Sequence, residues 1–112
     1  MTKQDLYLGE FEELILIAVL VLGDTAYGVS IRDLLEQETG RVVSFGAIYT
    51  TLERLQNKKF VSSKQGESTP QRGGRAKRYF KIEALGEVAL TETQTRRNRM
   101  LTLAKIKPAW QT

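Results

Sequence analysis

Val42 to Lys58 reads VVSFGAIYTTLERLQNK, and wound as a helix it separates into two faces. At about 100° per residue, Phe45, Ile48, Leu52 and Leu55 fall in one apolar stripe. Thr50 lies near the middle of the opposite side, with Gly46, Ala47, Arg54 and Asn57 around it. Ser44 precedes the periodic run and suits an N-cap, its hydroxyl meeting a free amide of the first turn. The front is small and polar where the helix begins, and the back is a core stripe. A helix that enters a DNA major groove needs such a front, because bulky side chains there hold the backbone away from the bases. An ordinary amphipathic helix with one wet face has the same pattern, so the neighbouring segments must decide.

Downstream, Lys58-Lys59 close the helix and the period changes. Phe60-Val61-Ser62-Ser63-Lys64-Gln65 reads as a strand, and Lys77-Arg78-Tyr79-Phe80-Lys81-Ile82 as a second one with β-formers among basic residues. Between them GESTPQRGGRA carries three Gly and one Pro. Strand, Gly-rich loop and strand make a β-hairpin with a long tip, which after two helices is the wing of a winged helix. Arg72, Arg75, Lys77 and Arg78 cluster on or beside the tip. Gly73 and Gly74 let a backbone approach a surface closely, and arginine either enters a narrow minor groove or pairs with phosphate. The plainer alternative is a disordered basic loop.

Upstream, Ala26 to Thr39 is a helix with Thr25 as its cap, Val29, Ile31, Leu34 and Leu35 as apolar positions, and Gly40 as its terminator. Arg41-Val42-Val43 links it to the quoted helix, and the pair fits a helix-turn-helix. Leu8 to Leu22 contains LILIAVLVL, which suits a buried strand or a buried helix. Its length, its Leu and Ala content and the acidic lead-in of Glu10, Glu12 and Glu13 favour helix. Being apolar nearly all round, it needs cover on more than one side, part of it from a second subunit. Met1 to Tyr7 is polar and is expected to fray. From Glu83 to Lys107 the pattern is helical again, with Leu85, Val88, Ala89, Leu90, Met100, Leu101, Leu103 and Ile106 as apolar members. Thr91 to Asn98 has no large apolar residue, so one long helix with an exposed middle and two helices with a break both fit. Pro108 ends the segment, and Trp110 is an interface anchor, a ligand-stacking residue or a loose tail residue.

The expected fold is α+β: a winged helix-turn-helix over residues 8–82, with a C-terminal dimerisation helix over 83–107 in the same compact domain. The 112 residues suit one domain of modest core. With no Cys there is no disulfide framework or thiolate metal site, and with no His there is no imidazole acid–base or Ser–His chemistry. No phosphate or dinucleotide loop stands out either, so an enzyme is not expected, nor a cofactor or metal. The longest apolar run, Leu14 to Leu22, is too short to span a bilayer, and no signal peptide opens the chain, so a soluble cytoplasmic protein is expected. The net charge of +4 is segregated. Residues 1–53 carry three basic and nine acidic side chains; residues 54–81 carry nine basic and one acidic. A basic block confined to one region is an electrostatic footprint for a polyanion, although a solvated basic face has the same composition.

Three groups of residues converge on double-stranded DNA. Ser44, Gly46, Ala47, Thr50 and Arg54 face bases or adjacent phosphates. Tyr49, at the edge of the stripe, either reaches a phosphate with its hydroxyl or is a plain half-buried tyrosine. Arg72, Gly73, Gly74, Arg75, Lys77 and Arg78 track the backbone or the minor groove. Tyr27 and Gly28 start the second helix near a flanking phosphate, with packing as the competing role. Direct readout is expected to be sparse, with Thr50 and Arg54 the main contributors, and shape readout through the wing to carry much of the specificity.

Ala26-Tyr27-Gly28, Ser44-Phe45-Gly46-Ala47-Ile48-Tyr49, Leu52-x-x-Leu55, Gly73-Gly74-Arg75-Ala76-Lys77-Arg78-Tyr79-Phe80 and Ala84-Leu85-Gly86 follow one another in an order that resembles the PadR family of bacterial transcriptional regulators. The resemblance spans roughly Leu14 to Leu90. It departs at the third helix, where the family more often reads Gly-Thr-Leu-Tyr-Pro and this chain has Gly46-Ala47-Ile48-Tyr49-Thr50. The resemblance implies a homodimer made by the last helix with the partner's first helix, for which Phe11, Leu14, Leu101 and Ile106 are candidates here. It also implies a palindromic operator, usually repression, and in some members a small-molecule inducer at the dimer interface. A ligand-responsive sensor and a winged-helix module docking on an acidic protein are the alternative functions.

Overall fold

The structure is a computed structural model, and it describes residues 3–66 and 77–106. After a 3-10 turn at Lys3–Leu6, the elements are α1 (Glu10–Leu22), α2 (Gly28–Thr39), α3 (Phe45–Asn57), β1 (Val61–Gln65), β2 (Arg78–Ile82) and α4 (Ala84–Leu103), with a second 3-10 turn at Gly23–Thr25. Helices α1 to α3 pack on one another, and the antiparallel hairpin closes the core from the side. Its register pairs Val61 with Ile82 and Gln65 with Arg78. This is the α+β winged helix expected from the sequence, and the last segment is one continuous helix rather than two.

The core is built from the stripes that periodicity marks. Ile15, Leu16 and Val19 of α1, Ile31 and Leu35 of α2, Ile48, Leu52 and Leu55 of α3, and Phe60 and Phe80 at the hairpin are buried together. Two backbone bonds outside the ladder lock the hairpin in place. Phe80 N–H donates to the Ala26 carbonyl at 2.8 Å, and Glu83 N–H to the Phe60 carbonyl at 2.8 Å. The first ties β2 to the entry of α2; the second ties the entry of α4 to the entry of β1. A Cβ on Gly86 would overlap the Phe60 carbonyl oxygen, so α4 approaches the hairpin as closely as a backbone can.

Three expectations are corrected. The N-cap of α2 is Tyr27, not Thr25: Ser30 Oγ accepts from Tyr27 N–H at 3.0 Å, while Thr25 Oγ1 donates back to the Leu22 carbonyl. Within the stretch expected to fray, Lys3–Leu6 forms a turn: Leu6 packs on the core, and the buried Leu8 donates its N–H to Thr93 Oγ1 of α4 at 3.3 Å. Phe45 does not share the buried stripe of α3. Standing at the helix's first position, it is 38% exposed, and the Arg32 guanidinium lies 4.4 Å from the centre of its ring.

The acidic lead-in of α1 does more than complement the helix dipole. Glu12 Oε1 accepts from the Gly9 N–H at 3.0 Å, and its Oε2 takes Lys58 Nζ, from the end of α3, at 2.9 Å. Glu13, nearly fully buried, takes Arg97 of α4 at 2.6 Å. A carboxylate removed from water needs such a partner, because the desolvation cost would otherwise neutralise it. These pairs fix α1 against α3 and α4.

Candidate nucleic-acid interface

Helix α3 starts where the sequence places it. Ser44 has extended backbone, and its Oγ accepts the Ala47 N–H at 3.1 Å. Ile48, Thr51, Leu52 and Leu55 hold the back of the helix in the core. Ser44, Gly46, Ala47, Thr50 and Arg54 are all exposed on its other sides. Gly46 and Ala47 therefore present almost no side-chain bulk, with Phe45 partly exposed at the edge of the turn, and Ser44 has committed its hydroxyl oxygen to the cap. Glu53 belongs to this front as well: Gly46, Thr50, Glu53 and Asn57 follow one another at spacings of four, three and four residues, and all are exposed.

Tyr49 turns toward α2. A Cβ on Gly28 would overlap the Tyr49 hydroxyl, so the small residue at the start of α2 makes room for that side chain. Tyr49 is thus partly packed with its hydroxyl at the N-terminus of α2. Both roles considered for it, packing and a reach toward a phosphate, are compatible with this position. Tyr27, which precedes Gly28 in sequence, meets Tyr79 of β2 edge-on, with ring centroids 5.6 Å apart. Lys77 Nζ sits 4.1 Å from the centre of the Tyr27 ring, a cation–π contact that draws the foot of the wing onto the start of α2.

Arg78 is occupied within the protein. Its Nε donates to Ser63 Oγ at 3.1 Å, its NH2 to Gln56 Oε1 at 2.8 Å, and its NH1 to Glu53 Oε1. Ser63 Oγ also donates to Gln56 Oε1 at 2.9 Å, closing a small polar set between α3 and the hairpin. Arg72, Gly73, Gly74 and Arg75 lie outside the described residues. The sequence analysis gives Glu53 no role, counting it only among the acids of residues 1–53. The signal available was its spacing from Gly46 and Thr50.

The candidate dimer residues are spread along α1 and α4. Phe11 and Leu14 are half-buried, with Arg41 5.1 Å above the Phe11 ring. Leu101 is half-buried and Ile106 is exposed. Gly86, Leu90, Thr93, Arg97, Met100, Leu101 and Ala104 lie on one stripe of α4 and its cap at three- and four-residue spacing. The first half of that stripe packs on the chain's own core. Beyond Thr93 no residue of the helix is buried, and Met100 and Leu103 are 66% and 74% exposed. Among the described residues no helix is long and apolar enough to cross a membrane.

A family profile described as the transcriptional regulator PadR-like family matches residues 16–92. Among solved structures, a PadR-like transcription factor from Bacteroides fragilis is 28% identical, with a TM-score of 0.70 over 85% of this chain and 86% of that one. A PadR-like transcriptional regulator from Bacillus cereus is 24% identical, with a TM-score of 0.64 over 85% of this chain and 87% of that one. The Orc1 protein of Aeropyrum pernix, solved in complex with DNA, shares the fold at 21% identity and a TM-score of 0.60, over 76% of this chain and 24% of that one. No curated protein matches the chain.

Proposed function

The chain belongs to the PadR-like family of transcriptional regulators, which are DNA-binding proteins, and we propose that it acts as a homodimeric, sequence-specific repressor on a palindromic duplex operator. The observation that carries this reading is the front of α3: Gly46, Ala47, Thr50 and Arg54 stand exposed on a helix whose back is held in the core. Such a front meets major-groove base edges at close range, with Thr50 and Arg54 supplying polar contacts and Ala47 an apolar one for a thymine methyl. Arg72, Arg75 and Lys77 supply phosphate contacts, which position the protein without specifying sequence. Tyr27 and Tyr49 stand by the α2 N-terminus, whose amides favour a flanking phosphate.

The uncovered half of the α4 stripe supports the dimer. In this reading Met100, Leu101 and Ile106 of one protomer cover the outer side of α1 in the other, around Phe11 and Leu14. The two α3 helices then address half-sites one helical turn apart or a multiple of it.

The test is fluorescence anisotropy with a duplex from the gene's own upstream region against a scrambled duplex, at three salt concentrations. A preference of roughly 10³-fold or more with two protomers per duplex is expected. Equal affinity for these and for genome-derived fragments would remove the sequence-specific reading. Replacing Arg72 and Arg75 by Ala should weaken binding to both duplexes alike and lower the salt slope by roughly one per arginine. Repression predicts that deleting the gene raises transcription from the bound promoter.

A further inference from the structure

Glu53 is an acid on a surface otherwise suited to a polyanion. It stands one turn beyond Thr50, on the line of exposed residues that begins at Gly46. An unpaired carboxylate there would repel the phosphates on either side of the groove. The structure gives it a counter-charge from the wing: Arg78 NH1 donates to Glu53 Oε1, while the other two guanidinium nitrogens are held by Gln56 and Ser63. All three nitrogens of the fork are engaged, so Arg78 is fixed in place and fixes the carboxylate in turn. Glu53 Oε2 accepts no hydrogen bond among the described residues, and the side chain is half exposed.

We propose that Glu53 is a specificity-determining residue that reads a cytosine in each half-site, with Arg78 as the positioning residue that holds its carboxylate. This rests on the DNA-binding reading above and adds to it the identity of one base. A carboxylate only accepts hydrogen bonds, so its partner in the major groove is an exocyclic amine, that of cytosine N4 or adenine N6. Adenine sets its N7 acceptor beside that amine, which opposes a second carboxylate oxygen. Cytosine sets a C–H there. Guanine and thymine turn carbonyl acceptors toward the carboxylate and are excluded. The pairing with Arg78 lowers the charge that Glu53 shows the phosphates while leaving Oε2 free for the base.

The test is selection of bound duplexes from a pool randomised over about 20 base pairs, which spans two half-sites a helical turn apart. The full-length protein is compared with Glu53→Gln, Glu53→Ala and Arg78→Ala, and far-UV circular dichroism confirms that each variant is folded. Wild type should enrich cytosine at one symmetric position roughly tenfold over other bases. Glu53→Gln should turn that position to adenine, whose donor and acceptor pair matches a carboxamide. Glu53→Ala should leave it unselected with every other position intact, and Arg78→Ala should weaken the cytosine preference at that position alone. If both Glu53 variants keep the wild-type preference everywhere and only bind more weakly, Glu53 merely braces the wing and the proposal falls while the regulator reading stands. If wild type enriches no sequence, both fall together.

Discussion

Helices α3 and α4 leave the core in opposite ways. The back of α3 is buried from Ile48 to Leu55, and on the front, at Gly46, Ala47 and Thr50, what it exposes is small or polar. The buried positions of α4 stop at Thr93, and what it exposes further on includes Met100 and Leu103. A helix that keeps its apolar side satisfied and its front bare is complete as a subunit and available to a polar partner. A helix whose core-facing stripe outruns the core is incomplete, and another protein surface must finish it. The contrast matches the division of work proposed for the two: α3 for the nucleic acid, and the far half of α4 for a second copy.

The most damaging way to break this contrast is to remove the backing of α3. Leu55→Ala should destabilise the fold by about 2–5 kcal/mol, read as a lower urea midpoint, because the residue is fully buried among α1 and hairpin side chains. A loss below about 1 kcal/mol would mean that the back of α3 is less tightly packed than its burial implies. Next comes the anchored half of α4. Gly86→Ala forces a methyl against the Phe60 carbonyl and should cost about 1–3 kcal/mol by the same measurement. An unchanged midpoint would contradict the close seat of α4 on the hairpin.

The far half of α4 should respond differently. Met100→Lys together with Leu103→Lys is expected to weaken self-association at least about tenfold in sedimentation equilibrium while far-UV circular dichroism stays native. Self-association unaffected by both charges would transfer the dimer contact elsewhere. The smallest effect is at the start of α3. Ser44→Ala removes the cap on the Ala47 amide and should cost about 1 kcal/mol. DNA affinity should fall further than the unfolded fraction accounts for, because the frayed turn is the one that meets the bases.

What the sequence made legible was local. The cap at Ser44, the left-handed terminator at Gly40, the core stripes of α2 and α3 and the hairpin after Lys59 all follow from spacing and turn chemistry. Phe45 departs from the wheel because an apolar residue at the right angle is buried only if the core faces it, and at the helix's first position its ring is met by the Arg32 guanidinium instead. Thr25 and Tyr27 both stand near the start of α2, and which of them caps it depends on Ser30 reaching back. The ion pairs were invisible for another reason. Glu13 meets Arg97, Glu12 meets Lys58 and Glu53 meets Arg78, each across a separation that no period records. Within the candidate interface, the small front of α3 was legible from composition alone. The internal engagement of Arg78 was not, since a basic residue in a wing looks the same in sequence whether its charge is free or spent.

The Glu13–Arg97 pair lies about two-thirds of the way along α4, and its consequence is mechanical. A helix of this length is a lever arm of about 30 Å, so a tilt of roughly 10° at its seat on Gly86 carries the far end through about 5 Å. The ion pair, with the Leu8–Thr93 hydrogen bond one turn before it, acts as the stay that sets the arm's angle. In the proposed dimer, the spacing of the two α3 helices then depends on a carboxylate and a guanidinium that lie on α1 and α4 rather than on the α3 front.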